Sequence, residues 1–195
     1  MIILASASPR RKELLEQIGC RYKVEASHAQ EVSGQGLLPS EVVMKNAYLK
    51  AADVAARYSD LPVLGADTVV SLDDDIFGKP RDKEQAREML TRLSGRTHKV
   101  STGIAVVWNN HLWQAYETTE VDFAPLSHAE IERYIATGEP ADKAGAYGIQ
   151  GRAAAFIKQI RGSYSNVVGL PLHCLYSLAQ KAGIDLYGNG EGPSG

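Results

Sequence analysis

The chain predicts an α/β protein built on a mixed, partly antiparallel sheet. Three observations carry that prediction. The apolar run Ile2-Ile3-Leu4-Ala5 passes through Ser6-Ala7-Ser8-Pro9 directly into a helix-forming segment. Residues 62–72 are almost continuously apolar, as in a strand buried on both faces. Residues 98–108 and 111–123 form two long β-rich stretches joined at Asn109-Asn110, a pair that tolerates the positive φ of a tight hairpin turn. With 195 residues, 44% of them hydrophobic, the chain can bury a sizeable core, as one domain or as two lobes sharing a central sheet.

The elements follow in order. Ser8 is a preferred N-cap and Pro9 suits the first helical position, so a helix starts there, and Gly19 is placed to end it. Residues 22–26 read as a weak strand and 30–38 as a Gly-rich loop containing one carboxylate, Glu31. Over residues 39–58, Val43, Ala47, Ala51, Val54, Ala55 and Tyr58 keep helical spacing, with Lys50 among them. The buried strand at 62–72 carries Asp67 at its centre, and Asp73-Asp74-Asp75 then makes a hairpin-like turn of solvated carboxylates. A helix over 82–93 presents Ala86, Met89, Leu90 and Leu93 on one face and stops at Ser94-Gly95. Ser127 and Glu130 form a capping box that opens a helix to about 137. Residues 143–151, with three glycines, read as a loop whose backbone closely approaches something. A strand over 154–160, a Ser/Asn/Gly loop over 163–169 and a final helix over 171–182 complete the chain, with Gly183 as the helix stop and a disordered tail over 188–195. There is no internal repeat.

The formal net charge of −2 and pI near 6.2 argue against a global electrostatic grip on nucleic acid or an anionic membrane, leaving room for a local basic pocket. The apolar run at the start is too short for a secretory leader or a membrane span, so a cytosolic protein is expected. Cys20 and Cys174 lie far apart without a CxxC spacing, and read as reduced, buried structural thiols. His28, His98, His111, His128 and His173 are scattered, with no HExxH, so each reads as a surface or hydrogen-bonded histidine. A Walker-type phosphate loop is missing as well.

Arg10, Arg11 and Lys12 in the first turn of the first helix oppose its macrodipole. That placement fits either a polyphosphate site or a surface basic turn. Asp67 is the sharper signal, because an ionised carboxylate within an apolar strand requires cations, a metal or hydrogen bonds to offset its desolvation. Ser6, Arg10, Arg11, Glu31, Lys50, Lys79 and Gln150 are further polar residues standing against apolar or Gly-rich backgrounds. Taken singly, Lys50 reads as a helix-surface lysine and Lys79 as a turn lysine. Taken together, separate basic positions and two carboxylates are what metal-assisted attack on a nucleotide polyphosphate requires, with Glu31 and Asp67 able to hold Mg²⁺ and orient a water. A carboxylate of pKa about 3.9 needs such metal activation, or burial, to serve as a base toward water.

Six segments in order, Ser6-Ala7-Ser8-Pro9-Arg10-Arg11, Gly65-Ala66-Asp67-Thr68-Val69, Gly78-Lys79-Pro80-Arg81-Asp82, Leu93-Ser94-Gly95, Asp142 through Gly151, and Val167-Val168-Gly169-Leu170-Pro171, resemble the Maf-type nucleoside triphosphate pyrophosphatases. The resemblance covers nearly all of the chain before the tail. It implies an elongated mixed sheet with flanking helices, two lobes around a central cleft, related to the inosine triphosphate pyrophosphatases, with residues 1–187 as one such domain. The reaction implied is hydrolysis of a nucleoside triphosphate to the monophosphate and pyrophosphate with a divalent cation, Mg²⁺ first and Mn²⁺ or Co²⁺ as alternatives. Carried over, the resemblance makes Asp67 the general base and metal ligand. It places Ser6, Arg11, Glu31, Lys50 and Lys79 in the phosphate and metal site. Arg10, Thr68 and Gln150 match the branch acting on dTTP and UTP, whereas the 7-methyl-GTP branch carries Trp, Gln and Glu there. Gln150 suits a pyrimidine, since its amide offers both a donor and an acceptor. A homodimer is also implied. The rival readings are a non-catalytic nucleotide-binding protein linked to septum formation and a 7-methyl-GTP pyrophosphatase.

Overall fold

Ile2, Ile3 and Leu4 are closed off from solvent on both faces, so that even a three-residue strand, β1 (Ile2–Leu4), sits inside its sheet. The computed structural model describes residues 1–187 apart from Gln35, Ser59 and Asp74; the expected tail lies outside the described residues. Helix α1 (Pro9–Gln17) leads to β2 (Tyr22–Val24), and α2 (Pro39–Ala55) leads to β3 (Val63–Leu72). Both strands pair in parallel with β1, Ile2 facing Tyr22 and Leu4 facing Leu64. β4 (Asp75–Phe77) folds back antiparallel on β3, with Val70 opposite Phe77. Then come α3 (Lys83–Leu93), the long strands β5 (Thr97–Trp108) and β6 (His111–Phe123), α4 (His128–Ala136), three short 3-10 turns within 139–156, β7 (Ile157–Arg161), α5 (Tyr164–Val168) and α6 (Leu172–Ala182). The strand order is β2-β1-β3-β5-β6-β7 with β4 on β3, the mixed α/β sheet that the sequence predicts.

The contacts divide the chain into two compact units. The first comprises Met1–Asp67, Thr102–Glu117 and the chain from Gly169 onward; the second comprises Thr68–Ser101 and Thr118–Val168. In the first unit, Ile3, Ala5, Ala47, Ala51, Val54, Val63 and Ala105 form a core of mostly small side chains. Small residues let α2 lie unusually close to its strands. A β-carbon at Gly65 would stand 2.1 Å from the Ala47 carbonyl oxygen, and one at Gly103 would stand 2.5 Å from that of Val43, so only glycine permits this approach. In the second unit, Val70, Leu90, Leu93, Phe123, Tyr134 and Tyr147 belong to a larger, aromatic-rich core.

Several expectations need correction. Ser8 occupies the N-cap position of α1, but its hydroxyl makes no capping bond; its backbone N–H instead donates to Ser6 Oγ at 3.3 Å. α2 ends at Ala55, short of Tyr58. The strand expected over 154–160 begins only at Ile157. Arg152–Phe156 coils into a 3-10 turn, alanine being a weak strand former, with Ala153 fully buried and the Arg152 N–H bound by Glu139 Oε2 at 3.0 Å. The loop expected over 163–169 contains α5, started by Ser163, whose hydroxyl accepts the Asn166 N–H at 3.2 Å. Cys174 is only half-buried, whereas Cys20 is buried; both are free thiols. Asp73 and Asp75 are exposed, as expected of a solvated turn, and carry ion pairs to Arg96 and Arg92; Asp74 lies outside the described residues. The hairpin turn is as expected, with φ of 49° at Asn109 and 60° at Asn110.

Candidate functional site

Asp67 is 7% exposed, the fifth of ten residues in β3, with Ala66 before it and Val69 beyond it also buried. Both carboxylate oxygens are satisfied from one helix face. Lys50 Nζ donates to Oδ1 at 2.7 Å and Asn46 Nδ2 donates to Oδ2 at 3.1 Å. Asn46 and Lys50 are four residues apart on α2 and therefore stand one above the other. Gly65 and Asp67 share one face of β3, because side chains alternate along a strand. The missing side chain at Gly65 thus draws α2 onto the face from which Asp67 projects.

Glu31 reaches the same ammonium, its Oε1 lying 2.9 Å from Lys50 Nζ. It belongs to a segment with no helix or strand of its own, tied to α2 by Asn46: Oδ1 accepts the Val32 N–H at 2.8 Å, and Nδ2 donates to the Val32 carbonyl at 3.3 Å. Asn46, 2% exposed, was not among the sequence candidates. The available signal was its position one helical turn before Lys50 on a face otherwise made of Val43, Ala47, Ala51 and Val54.

The end of β1 supplies the cationic side. Ser6, buried, accepts from Arg11 Nη1 at 2.9 Å, and Arg11 Nε donates to the Gly169 carbonyl at 2.8 Å. These two bonds orient the guanidinium. Burial lowers its pKa from the ordinary arginine value, the Asp67 carboxylate opposes that shift, Arg10 adds to it and Glu31 opposes it. Arginine remains cationic at neutral pH all the same. The mutual influence ties Arg11, Arg10, Glu31 and Asp67 into one electrostatic cluster within the first unit. Ser6, Arg11, Glu31, Lys50 and Asp67 are therefore brought together as the sequence suggests, and Lys50 faces two carboxylates where its isolated reading was a helix-surface lysine.

Thr68, Lys79 and Gln150 belong to the second unit. Thr68 is half-buried and directly follows Asp67, Lys79 is exposed just past β4, and Gln150 is exposed. The loop bearing Gln150 is well braced. Tyr134 donates to Glu139 Oε1 at 2.8 Å, Lys143 Nζ to the Glu139 carbonyl at 2.7 Å, and Gly148 N–H to the Tyr134 hydroxyl at 3.4 Å. Gly145, at φ +67°, donates its N–H to the Gly78 carbonyl at 3.1 Å, coupling this loop to the residue before Lys79. A β-carbon at Gly145 would also stand 2.9 Å from the Val70 side chain, which is the close backbone approach expected of this loop.

A profile of the Maf-like protein family matches residues 1–182. The chain belongs to the Maf family. Among its relatives, the dTTP/UTP pyrophosphatase of Symbiobacterium thermophilum is 49% identical over 191 residues, covering 98% of either chain. The proteins of the same name from Bacillus anthracis and Bacillus thuringiensis are 48% and 47% identical over 185 residues, each alignment covering 95% of this chain and 97% of the relative.

The Maf resemblance implies a divalent cation, and the residues fit one. Glu31 and Asp67 both lie within 2.9 Å of a single cationic atom, Lys50 Nζ, so they converge on a common point. Among the described residues no three His, Cys, Asp or Glu side chains cluster for metal binding. A pair of carboxylates, the remaining positions being left to phosphate oxygens and water, is the usual arrangement for Mg²⁺ at a nucleotide site. Among the described residues no helix is long and apolar enough to cross a membrane.

Proposed function

We propose that this chain hydrolyses dTTP and UTP to the nucleoside monophosphate and pyrophosphate. The observation that carries the reading is the buried Asp67 carboxylate, held through both oxygens by Asn46 and Lys50 beside the Arg11 guanidinium. Relatives named dTTP/UTP pyrophosphatase support the same reaction.

In this reading a water oxygen attacks the α-phosphorus, the bond to the bridging oxygen of the β-phosphate breaks, and pyrophosphate departs. Asp67 accepts the proton of the attacking water. Mg²⁺ held by Glu31 and Asp67 would supply neutralisation of phosphate charge and a more acidic bound water. Arg11, fixed by Ser6 and Gly169, and Lys50 oppose the charge that gathers on the leaving group, and Lys79 has the same task in this reading. Arg10, Thr68 and Gln150 are assigned to the base, with the Gln150 amide donating to a pyrimidine carbonyl and accepting from its ring N–H. Two free thiols agree with a cytosolic location, and the slightly acidic balance argues against a global electrostatic grip on nucleic acid or an anionic membrane. A homodimer is part of the same proposal and is read by sedimentation.

Incubation with Mg²⁺ and dTTP, UTP, GTP or 7-methyl-GTP, with pyrophosphate and orthophosphate assayed separately, tests it. Pyrophosphate from dTTP and UTP is the expected result. A preference for 7-methyl-GTP would overturn the base assignment, and intact triphosphate throughout would leave a nucleotide-binding protein.

A further inference from the structure

We infer that Asn46 is a positioning residue that sets the spacing between the Glu31 and Asp67 carboxylates, and with it the fit of a metal-bound triphosphate; the inference rests on the pyrophosphatase reading above.

The contacts close a ring. Asn46 binds both backbone groups of Val32, Glu31 next to Val32 reaches Lys50 Nζ, Lys50 reaches Asp67 Oδ1, and Asp67 Oδ2 returns to Asn46 Nδ2. An asparagine amide has two donors and one acceptor oxygen, and here all are engaged. The chemistry of the partners dictates its orientation: the Val32 N–H can only donate and the Asp67 carboxylate can only accept, so the reversed amide would set oxygen against oxygen. No other residue of this size supplies that set. Leucine fills the volume without bonds, aspartate lacks both donors and sets a second charge against Asp67, and glutamine is a methylene too long.

The clamp matters because of what it holds. Glu31 is 55% exposed on a segment with no helix or strand of its own; Ser27 and the His28 N–H tie that segment to Asp53 of α2, and the Val32 bonds to Asn46 fix the backbone next to Glu31 against the same helix. Asp67, in contrast, is fixed by the strand. Two carboxylates that must share one cation are thereby carried on elements of very different rigidity, and Asn46 touches both. Asn46 acts on Glu31 through Val32 and on Asp67 directly, and the part that depends on Glu31 is what separates a positioning role from a merely stabilising one.

The test compares wild type, Asn46→Leu, Asn46→Ser, Glu31→Gln and the Asn46→Leu/Glu31→Gln double variant. Binding of α,β-imido-dTTP with Mn²⁺ is measured by calorimetry, and exchange of the Val32 amide by NMR. Asn46→Leu is expected to speed Val32 exchange at least about tenfold and to weaken analogue binding by about tenfold, the scale of a lost hydrogen bond to a charged group. In the Glu31→Gln background the same substitution should weaken binding by clearly less than in wild type, the remainder being the loss of the Asp67 bond. Should the leucine variant not fold, Asn46→Ser, smaller and still polar, is read in its place. Unchanged binding, an undiminished loss in the Glu31→Gln background, or a wild type that does not bind the analogue overturns the inference. Pyrophosphate release is scored separately: a wild type that binds the analogue yet leaves dTTP intact counts against the pyrophosphatase reading and leaves the Asn46 result standing.

Discussion

A β-carbon on Gly65 would lie 2.1 Å from the carbonyl oxygen of Ala47. No relaxation of a flexible side chain can relieve that clash, since the carbonyl oxygen is backbone and a β-carbon has no torsion that moves it away, so α2 would have to move off β3. Gly65→Ala is expected to cost roughly 2–4 kcal/mol, at or above the usual range for overpacking, and to weaken turnover by displacing Asn46 and Lys50. Urea unfolding checks the first effect. An alanine variant as stable as wild type would show that this helix–strand contact is looser than the geometry states.

Asp67→Asn preserves size and removes the proton acceptor. Turnover of dTTP should fall by about 10²–10⁴, the usual contribution of a general base, while nucleotide binding is retained. Single-turnover kinetics alongside equilibrium binding separate the two. Near-normal turnover in a folded variant would remove Asp67 from the proton transfer.

Lys50 Nζ sits where the two carboxylates converge, so it competes with any cation for that place. Lys50→Met should therefore bind Mn²⁺ more tightly than wild type in the absence of nucleotide, and yet turn over dTTP far more slowly. Calorimetry with Mn²⁺ alone reads the first outcome. Weaker binding in the variant would mean that the lysine organises the carboxylates more than it competes.

Gln150→Glu replaces an amide that can donate with a carboxylate that cannot. The expected loss in kcat/KM for dTTP is at least about tenfold, because a pyrimidine carbonyl loses its donor. The specificity ratio between dTTP and 7-methyl-GTP is the measurement; an unchanged ratio would remove Gln150 from base recognition.

His98 is 1% exposed among Phe123 and Tyr147, with Nε2 at 2.8 Å from the Tyr147 hydroxyl and, among the described residues, no partner for Nδ1. Burial lowers its pKa from 6.5 to about 4, with Asp122 opposing weakly. Between those values the unfolded chain binds the proton and the folded one does not, so stability rises with pH. The contribution is complete above about pH 6.5 and is lost as pH falls toward 4, about 3 kcal/mol in all. Urea unfolding at pH 7.5 and 4.5 should show a larger drop for wild type than for His98→Gln. Equal drops would mean that His98 is accessible to protons in the folded state.

Much of this protein is legible along the chain because the signals are local. The Asn109-Asn110 turn, the Ser127–Glu130 capping box and the helix stops at Gly19 and Gly183, both with φ near +68°, depend only on residues a few positions apart. Asp67 stands out for a similar reason, since a charge inside an apolar strand is conspicuous wherever the strand lies. Local signals also misled: Arg152–Phe156 sits beside a strand yet is held in a 3-10 turn by Glu139, thirteen residues back in the chain, and the Ser163 cap resembled ordinary loop composition.

Residue types and their order determined the α/β sheet, the helix caps at Ser127 and Gly183 and the charged residues available to a phosphate site. Only the tertiary structure decided that Lys50 faces two carboxylates, that Asn46 joins Val32 to Asp67, and that Arg11 is oriented by Ser6 and by a carbonyl 158 positions away. The physical reason is distance along the chain. Periodicity and capping are written in neighbouring residues, whereas a hydrogen bond between remote segments depends on how closely the backbones pack, and here that closeness is set by the missing side chain of Gly65.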